Sequence, residues 1–84
     1  MDNSVNVIIK VLFIYKEFNC QLSTDLTLNE NIILLNGLIN KYISKNYLES
    51  YKPLVIEENS KQILNIDLKV KDLNIKDGIT LLFY

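Results

Sequence analysis

The opening stretch of the chain has a pattern of apolar and polar side chains that favours β structure. Residues 5–15 are rich in Val, Ile and Phe, which fit the pleated surface of a strand. The positions between the core candidates include Asn6 and Lys10. The alternation therefore predicts a strand over residues 5–15 with its odd-numbered side chains facing the core. These inward positions are Val5, Val7, Ile9, Val11 and Phe13.

A hairpin partner and a helix are predicted next. Residues 16–19 form a polar connection, and apolar or small side chains at Cys20, Leu22, Thr24 and Leu26 then alternate with polar ones, which predicts a second strand. Thr27 and Glu30 have the spacing of a helix capping box. The helix is expected from about Leu28 to Lys45, with one apolar stripe covering the sheet. That stripe comprises Ile32, Leu35, Leu38, Ile39, Tyr42 and Ile43.

Three further strands are predicted in the second half. Pro53 precedes the apolar run at residues 54–56, a short strand is expected over residues 61–65, and the Asp77-Gly78 turn precedes a last strand at residues 79–84. A hairpin, one helix and later strands, with the last strand parallel to the first, define an α+β β-grasp. We expect a mixed sheet of four to five strands with one helix on one face, in a single domain over residues 1–84.

One segment near the end of the chain carries a family resemblance. Residues Val70 to Phe83 read VKDLNIKDGITLLF, in which an apolar residue, an Asp, an Ile and a turn precede the final strand. This segment resembles ubiquitin-like domains, and it is most similar to the small ubiquitin-like protein of Firmicutes type VII secretion systems, whose turn glycine is matched by Gly78. The resemblance covers about a sixth of the chain and implies a bacterial protein-binding module.

Conjugated ubiquitin-like proteins and sulfur carriers resemble one another in a flexible tail that ends in Gly-Gly. This sequence instead ends at Tyr84, within the predicted last strand. We therefore expect neither conjugation nor thiocarboxylate formation. A sulfur carrier or modifier is the disfavoured alternative.

Composition and charge narrow the classes of partner. Nine Lys and no Arg stand against ten Asp plus Glu, so a nucleic-acid partner is not expected. The longest apolar stretch is interrupted by Lys10 and is too short to insert in a membrane, and Met1 to Ser4 does not resemble a secretory signal. With one cysteine and no histidine, we expect no disulfide, metal or other cofactor, and a cytoplasmic location.

Candidate catalytic groups are few, so we expect that the protein is not an enzyme. Cys20 is predicted to point into the core, where an unactivated thiol is inert. The acidic pairs Glu57/Glu58 and Asp72/Asp77 lie in predicted turns, where acidic residues are ordinary.

A protein-binding surface has a stronger basis. The sheet face that a single helix leaves uncovered should carry the even-numbered side chains of the first strand. The resemblance to ubiquitin-like domains implies that Leu81 and Phe83 face inward, so that Leu82 and Tyr84 face outward, and Val55 of the neighbouring strand is expected on the same face. Contiguous apolar surface of this kind usually marks an interaction site. The candidate residues are Ile8, Leu12, Val55, Leu82 and Tyr84. The alternative is that they are scattered surface residues, or are covered by self-association or by loops of the chain.

The outer face of the helix provides a second candidate surface. Ile33 and Gly37 lie one turn apart there with Asn40 and Ser44, and a Gly in a helix lets another helix approach closely.

These observations favour a non-conjugated ubiquitin-like module that binds an unidentified protein, as an accessory or regulatory component of type VII secretion. The alternative from another class is a small structural subunit of a multicomponent enzyme. A homodimer formed by pairing at the edge of the second strand, or at the edge of the short strand over residues 61–65, also remains open.

Overall fold

The fold places four strands in one mixed sheet. A computed structural model describes residues 3–39 and 53–84, with only the backbone for Phe13, Leu38 and Ile39. Its strands and helix are β1 (Ser4–Val11), β2 (Lys16–Ser23), α1 (Leu28–Ile39), β3 (Val55–Glu57) and β4 (Thr80–Phe83). Two short 3₁₀ turns lie at Leu12–Ile14 and Val70–Asp72.

The strand order in the sheet is β2-β1-β4-β3. β1 pairs antiparallel with β2 and parallel with β4, and β3 pairs antiparallel with β4. A parallel pair needs a long crossover connection, and the chain between β1 and β4 contains α1. The predicted α+β β-grasp is confirmed, with four strands in the described parts of the chain.

The core lies between the sheet and α1. The odd-numbered residues of β1 are buried, as the alternating pattern predicts, and Ile32 and Leu35 of α1 are buried as well. The predicted side chains at Leu38 and Ile39, and the predicted helical residues from Asn40 to Lys45, fall outside the described part of the structure. The buried apolar cluster contains Val5, Val7, Ile9, Val11, Leu22, Leu28, Ile32, Leu35, Val55, Val70, Leu81 and Phe83.

The start of α1 has the predicted capping box. The backbone amide of Glu30 donates to Oγ1 of Thr27 at 3.0 Å, and the amide of Thr27 donates to Oε1 of Glu30 at 3.0 Å. Each side chain thus satisfies an amide that has no partner within the helix.

The prediction that the first strand continues to Tyr15 is wrong. β1 ends at Val11, and the 3₁₀ turn that follows closes with an amide of Tyr15 that donates to the carbonyl of Leu12 at 3.2 Å. Tyr15 has a positive φ of 54°, which reverses the chain. Residues 16–19, predicted as a connection, instead belong to β2.

The predicted strand at residues 61–65 is also wrong. Only an isolated bridge between Ile63 and Ile56 forms there within the described residues. Lys61 has a positive φ of 61°, a left-handed conformation that is incompatible with an extended strand at this residue.

Candidate protein-binding face

The side of the sheet opposite α1 carries a group of apolar side chains. Because Ile9 and Val11 point into the core, Ile8 and Lys10 project from the other side. In the sheet register, Lys10 lies beside Leu82, and Leu82 lies opposite Ile56. We call this side the open face, and its apolar cluster comprises Ile8, Leu54, Ile56, Leu82 and Tyr84.

Leu54 and Tyr84 extend this cluster beyond the ends of β3 and β4. The amide of Tyr84 donates to the carbonyl of Leu54 at 3.0 Å, and the amide of Leu54 donates to the carbonyl of Tyr84 at 3.3 Å. Residues that exchange both hydrogen bonds in an antiparallel pair project from the same side of the sheet. Leu54 is 48% exposed and Tyr84 is 54% exposed, so this end of the cluster is the more accessible to a partner.

The placement of Val55 on the open face is wrong. Val55 is 0% exposed and lies opposite Phe83, which is also in the core. Its neighbours Leu54 and Ile56 occupy the open face in its place. The error amounts to one residue of strand register, which exchanges the two faces because side chains alternate along a strand.

Leu12 lies near the open face but in a turn, whereas the sequence places it on a strand. It lines a depression of about 510 Å³ with Lys10, Tyr15 and Glu17. The sequence pattern missed Tyr15, whose side chain is 95% exposed at the tip of the β1–β2 connection. A fully exposed aromatic side chain beside a partly apolar depression is the kind of group that anchors protein interfaces.

The acidic residues Glu57 and Glu58 have separate structural roles. Nζ of Lys10 lies 3.2 Å from Oε2 of Glu58, an ion pair between partly exposed side chains. Oε2 of Glu57 accepts a hydrogen bond from the Asn59 amide at 2.6 Å, and Oε1 accepts one from the Ser60 amide at 3.1 Å. The Asn59 amide, with help from Ser60 and from the charge of Lys61, lowers the pKa of Glu57.

The two members of the other acidic pair, Asp72 and Asp77, also have separate structural roles. Oδ1 of Asp77 accepts a hydrogen bond from the amide of Asn6 at 2.8 Å, whereas Asp72 lies in the second 3₁₀ turn. Within residues 3–39 and 53–84, no three Cys, Asp or Glu side chains come together in a way that could hold a metal ion.

Cys20 packs against the buried cluster from β2 and is half-buried. Burial raises the pKa of its thiol, because removal from water disfavours the thiolate. A thiol in this state is a weak nucleophile at neutral pH.

The second candidate surface is described only in part. Ile33 is 62% exposed on α1, and a Cβ added at Gly37 would meet open space. Leu34, which the sequence pattern did not select, is 64% exposed beside Ile33. Asn40 and Ser44 fall outside the described residues.

The sequence matches no protein-family model and no curated protein. Solved structures do match it. A protein designed on the basis of ubiquitin superposes with a TM-score of 0.66 at 18% identity, over 100% of this chain and 90% of that one. The chain has a ubiquitin-like β-grasp fold. At these identities the likeness concerns the fold alone.

Two other ubiquitin-like structures come from type VII secretion proteins. The ubiquitin-like domain of Mycobacterium tuberculosis EccD1 has a TM-score of 0.66 at 14% identity, over 99% of this chain and 98% of that one. The ubiquitin-like domain of EccD5 from Mycobacterium xenopi has a TM-score of 0.66 at 12% identity, over 99% and 97%.

In the described parts of the chain, no helix has the length and apolar character needed to cross a membrane.

Proposed function

We propose that this ubiquitin-like module acts without conjugation or catalysis, by binding another protein through its open face. The observation that carries the proposal is the group of apolar side chains on the side of the sheet opposite α1. Leu54 and Tyr84 are each about half exposed, and both lie in one sheet with Ile56 and Leu82. Apolar side chains that are adjacent across β3 and β4 favour a docking surface over single exposed residues.

Charged groups on the open face suit a reversible contact. The ion pair between Lys10 and Glu58 spans β4 beside Leu82, because Lys10 is on β1 and Glu58 directly follows β3. Ion pairs between partly exposed side chains are weak, so a partner can displace or re-pair these charges. The exposed Tyr15, near Leu12, adds an aromatic anchor at the edge of the same surface.

The proposed setting is the cytoplasmic side of a bacterial type VII secretion system, where the chain would be an accessory or regulatory component similar to the small Firmicutes protein. Two lines support this setting. The segment Val70 to Phe83 resembles that family, and domains of two type VII secretion proteins share the fold over nearly their whole length.

Site-specific photo-crosslinking in the source cell tests the proposal. A photoreactive amino acid replaces Leu54 on the open face, and in a matched strain it replaces Leu68, which is 43% exposed. Leu68 is not part of α1 but lies next to its first residue, because the carbonyl of Leu68 accepts a hydrogen bond from the Leu28 amide at 3.0 Å. We expect a type VII secretion component to crosslink at position 54 and not at position 68. Identical crosslinks at both positions would contradict docking through the open face. A partner at position 54 that is not a secretion component would contradict the proposed setting.

A further inference from the structure

β2 is an edge strand whose outward backbone groups can be assigned from its pairing with β1. The amide of Thr24 donates to the carbonyl of Asn3 at 2.9 Å, in register with the β1–β2 ladder. Hydrogen-bonded pairs alternate along an antiparallel ladder, so the even-numbered residues of β2 bond to β1. The odd-numbered residues direct both backbone groups away from the sheet, and these are Glu17, Asn19, Gln21 and Ser23.

The edge is closed at one end by a side chain of α1. The amide of Ser23 donates to Oδ1 of Asn31 at 2.8 Å, and Nδ2 of Asn31 donates to the carbonyl of Ser23 at 3.0 Å. The carboxamide thereby imitates one residue of a paired strand. At the other end, the left-handed turn at Tyr15 interrupts the extended backbone.

Three residues remain between these two closures. No hydrogen bond within the described ranges reaches the outward backbone groups of Glu17, Asn19 or Gln21. Unpaired groups of this kind form a template for another strand. The three residues are arranged symmetrically about Asn19, so the edge is complementary to itself in the antiparallel direction.

We propose that the β2 edge pairs with β2 of a second copy of this chain, with the twofold axis at Asn19. In this register Asn19 lies opposite the partner's Asn19, and Glu17 lies opposite the partner's Gln21. Three pairs that each exchange two hydrogen bonds satisfy every open group of the edge in both copies.

Alternative antiparallel registers are less suitable. A shift of two residues in one direction places Glu17 opposite the partner's Ser23, whose backbone groups already bond to Asn31. A shift in the other direction places Gln21 opposite the partner's Tyr15, which has a left-handed backbone. A shift of one residue would set side chains of opposite faces against each other.

The side chains agree with the proposed register. On the open face, the carboxylate of Glu17 meets the amide of the partner's Gln21, so no like charges are opposed. On the helix side, the half-buried Phe18 lies opposite the partner's half-buried Cys20. The two sheets become one sheet of eight strands, with both helices on one side and two open faces adjacent on the other.

Sedimentation equilibrium of the full chain tests the pairing. Asn19→Lys places two ammonium groups opposite each other at the axis, and it should raise the dimer dissociation constant by about fivefold. Asn59→Lys is the matched control, because it adds the same charge at an exposed turn residue far along the chain and should leave the constant unchanged. A wild-type chain that is monomeric up to about 1 mM, or equal weakening by both variants, would overturn the proposal.

Oxidative crosslinking tests the register. In a Cys20→Ser background, Asn19→Cys puts two thiols in a directly opposed pair about 5.5 Å apart at Cα, within the range of a disulfide. Gln21→Cys places the two introduced cysteines four residues apart along the paired strands, with their Cα atoms about 13 Å apart. We expect a dimer crosslink at position 19 and none at position 21. The reverse result, or a ready crosslink through Cys20 when the wild-type chain is oxidised separately, would assign a different axis and refute this register.

Discussion

Ile56 and Leu82 lie directly opposite each other in the β3–β4 ladder, and both project from the side of the sheet that α1 does not cover. Their neighbours Val55, Leu81 and Phe83 project to the other side and are at most 1% exposed. Adjacent residues of one strand therefore serve different purposes. The inward residues hold the domain together, and the outward residues are available to a partner.

Equivalent substitutions of Leu81 and Leu82 should have unequal effects on stability. Leu81→Ala leaves a cavity in the closed core and should lower the free energy of unfolding by about 2–5 kcal/mol. Leu82→Ala removes a half-buried side chain and should lower it by less than half as much. Urea denaturation measures both values. Equal losses would show that Leu82 also belongs to a packed interior.

The alternating pattern of β1 predicts its inward face because Asn6 and Lys10 mark the outward positions. The run Leu54-Val55-Ile56 has no polar residue to mark either face, and only its register with β4 decides that Val55 is buried. This explains why the candidate surface omitted Leu54 and Ile56.

The sequence pattern could not predict where β1 ends, because here too no polar residue interrupts the apolar run. Residues 11–14 are all apolar, so nothing in the pattern distinguishes the last strand residue from the 3₁₀ turn that follows. The reversal depends on a left-handed Tyr15, a conformation that few non-glycine residues adopt and that the sequence does not signal.

Replacing each glycine by alanine should change stability in opposite directions. Gly78 has a φ of +87°, so Gly78→Ala should cost about 1–2 kcal/mol. Gly37 lies in α1 with open space around it, so Gly37→Ala should gain about 0.5–1 kcal/mol. Thermal unfolding of the two variants checks both signs. Destabilisation by Gly37→Ala would indicate a close contact at this helix face.

The capping box should behave as a coupled pair. Thr27→Ala removes the hydroxyl that binds the Glu30 amide and should cost about 0.5–2 kcal/mol. Glu30→Ala removes the reciprocal contact to the Thr27 amide. Measured by denaturant unfolding, the double variant should lose less than the two single losses added together. Strict additivity would mean that the two hydrogen bonds act independently.

Glu57 should contribute to stability only while it is ionised. Its pKa is lowered in the folded chain by the Asn59 amide, so the contribution is present above the unfolded value of about 4.3 and is lost as the pH falls through the folded pKa. Glu57→Gln should therefore be less stable than the wild type at pH 7, and the difference should shrink toward pH 3. Unfolding curves at both pH values measure it. A difference that does not change with pH would contradict the assigned hydrogen bonds.

Docking of a partner protein through the open face is tested most directly by the affinity of the chain for the partner that crosslinks at position 54. Isothermal titration calorimetry compares Leu54→Ser with the matched Leu68→Ser, since both residues are leucines of similar exposure in different parts of the surface. We predict that Leu54→Ser weakens binding by about tenfold or more, as expected for the loss of an apolar anchor, and that Leu68→Ser leaves it unchanged. Unchanged binding by Leu54→Ser in a folded chain would contradict docking through the open face.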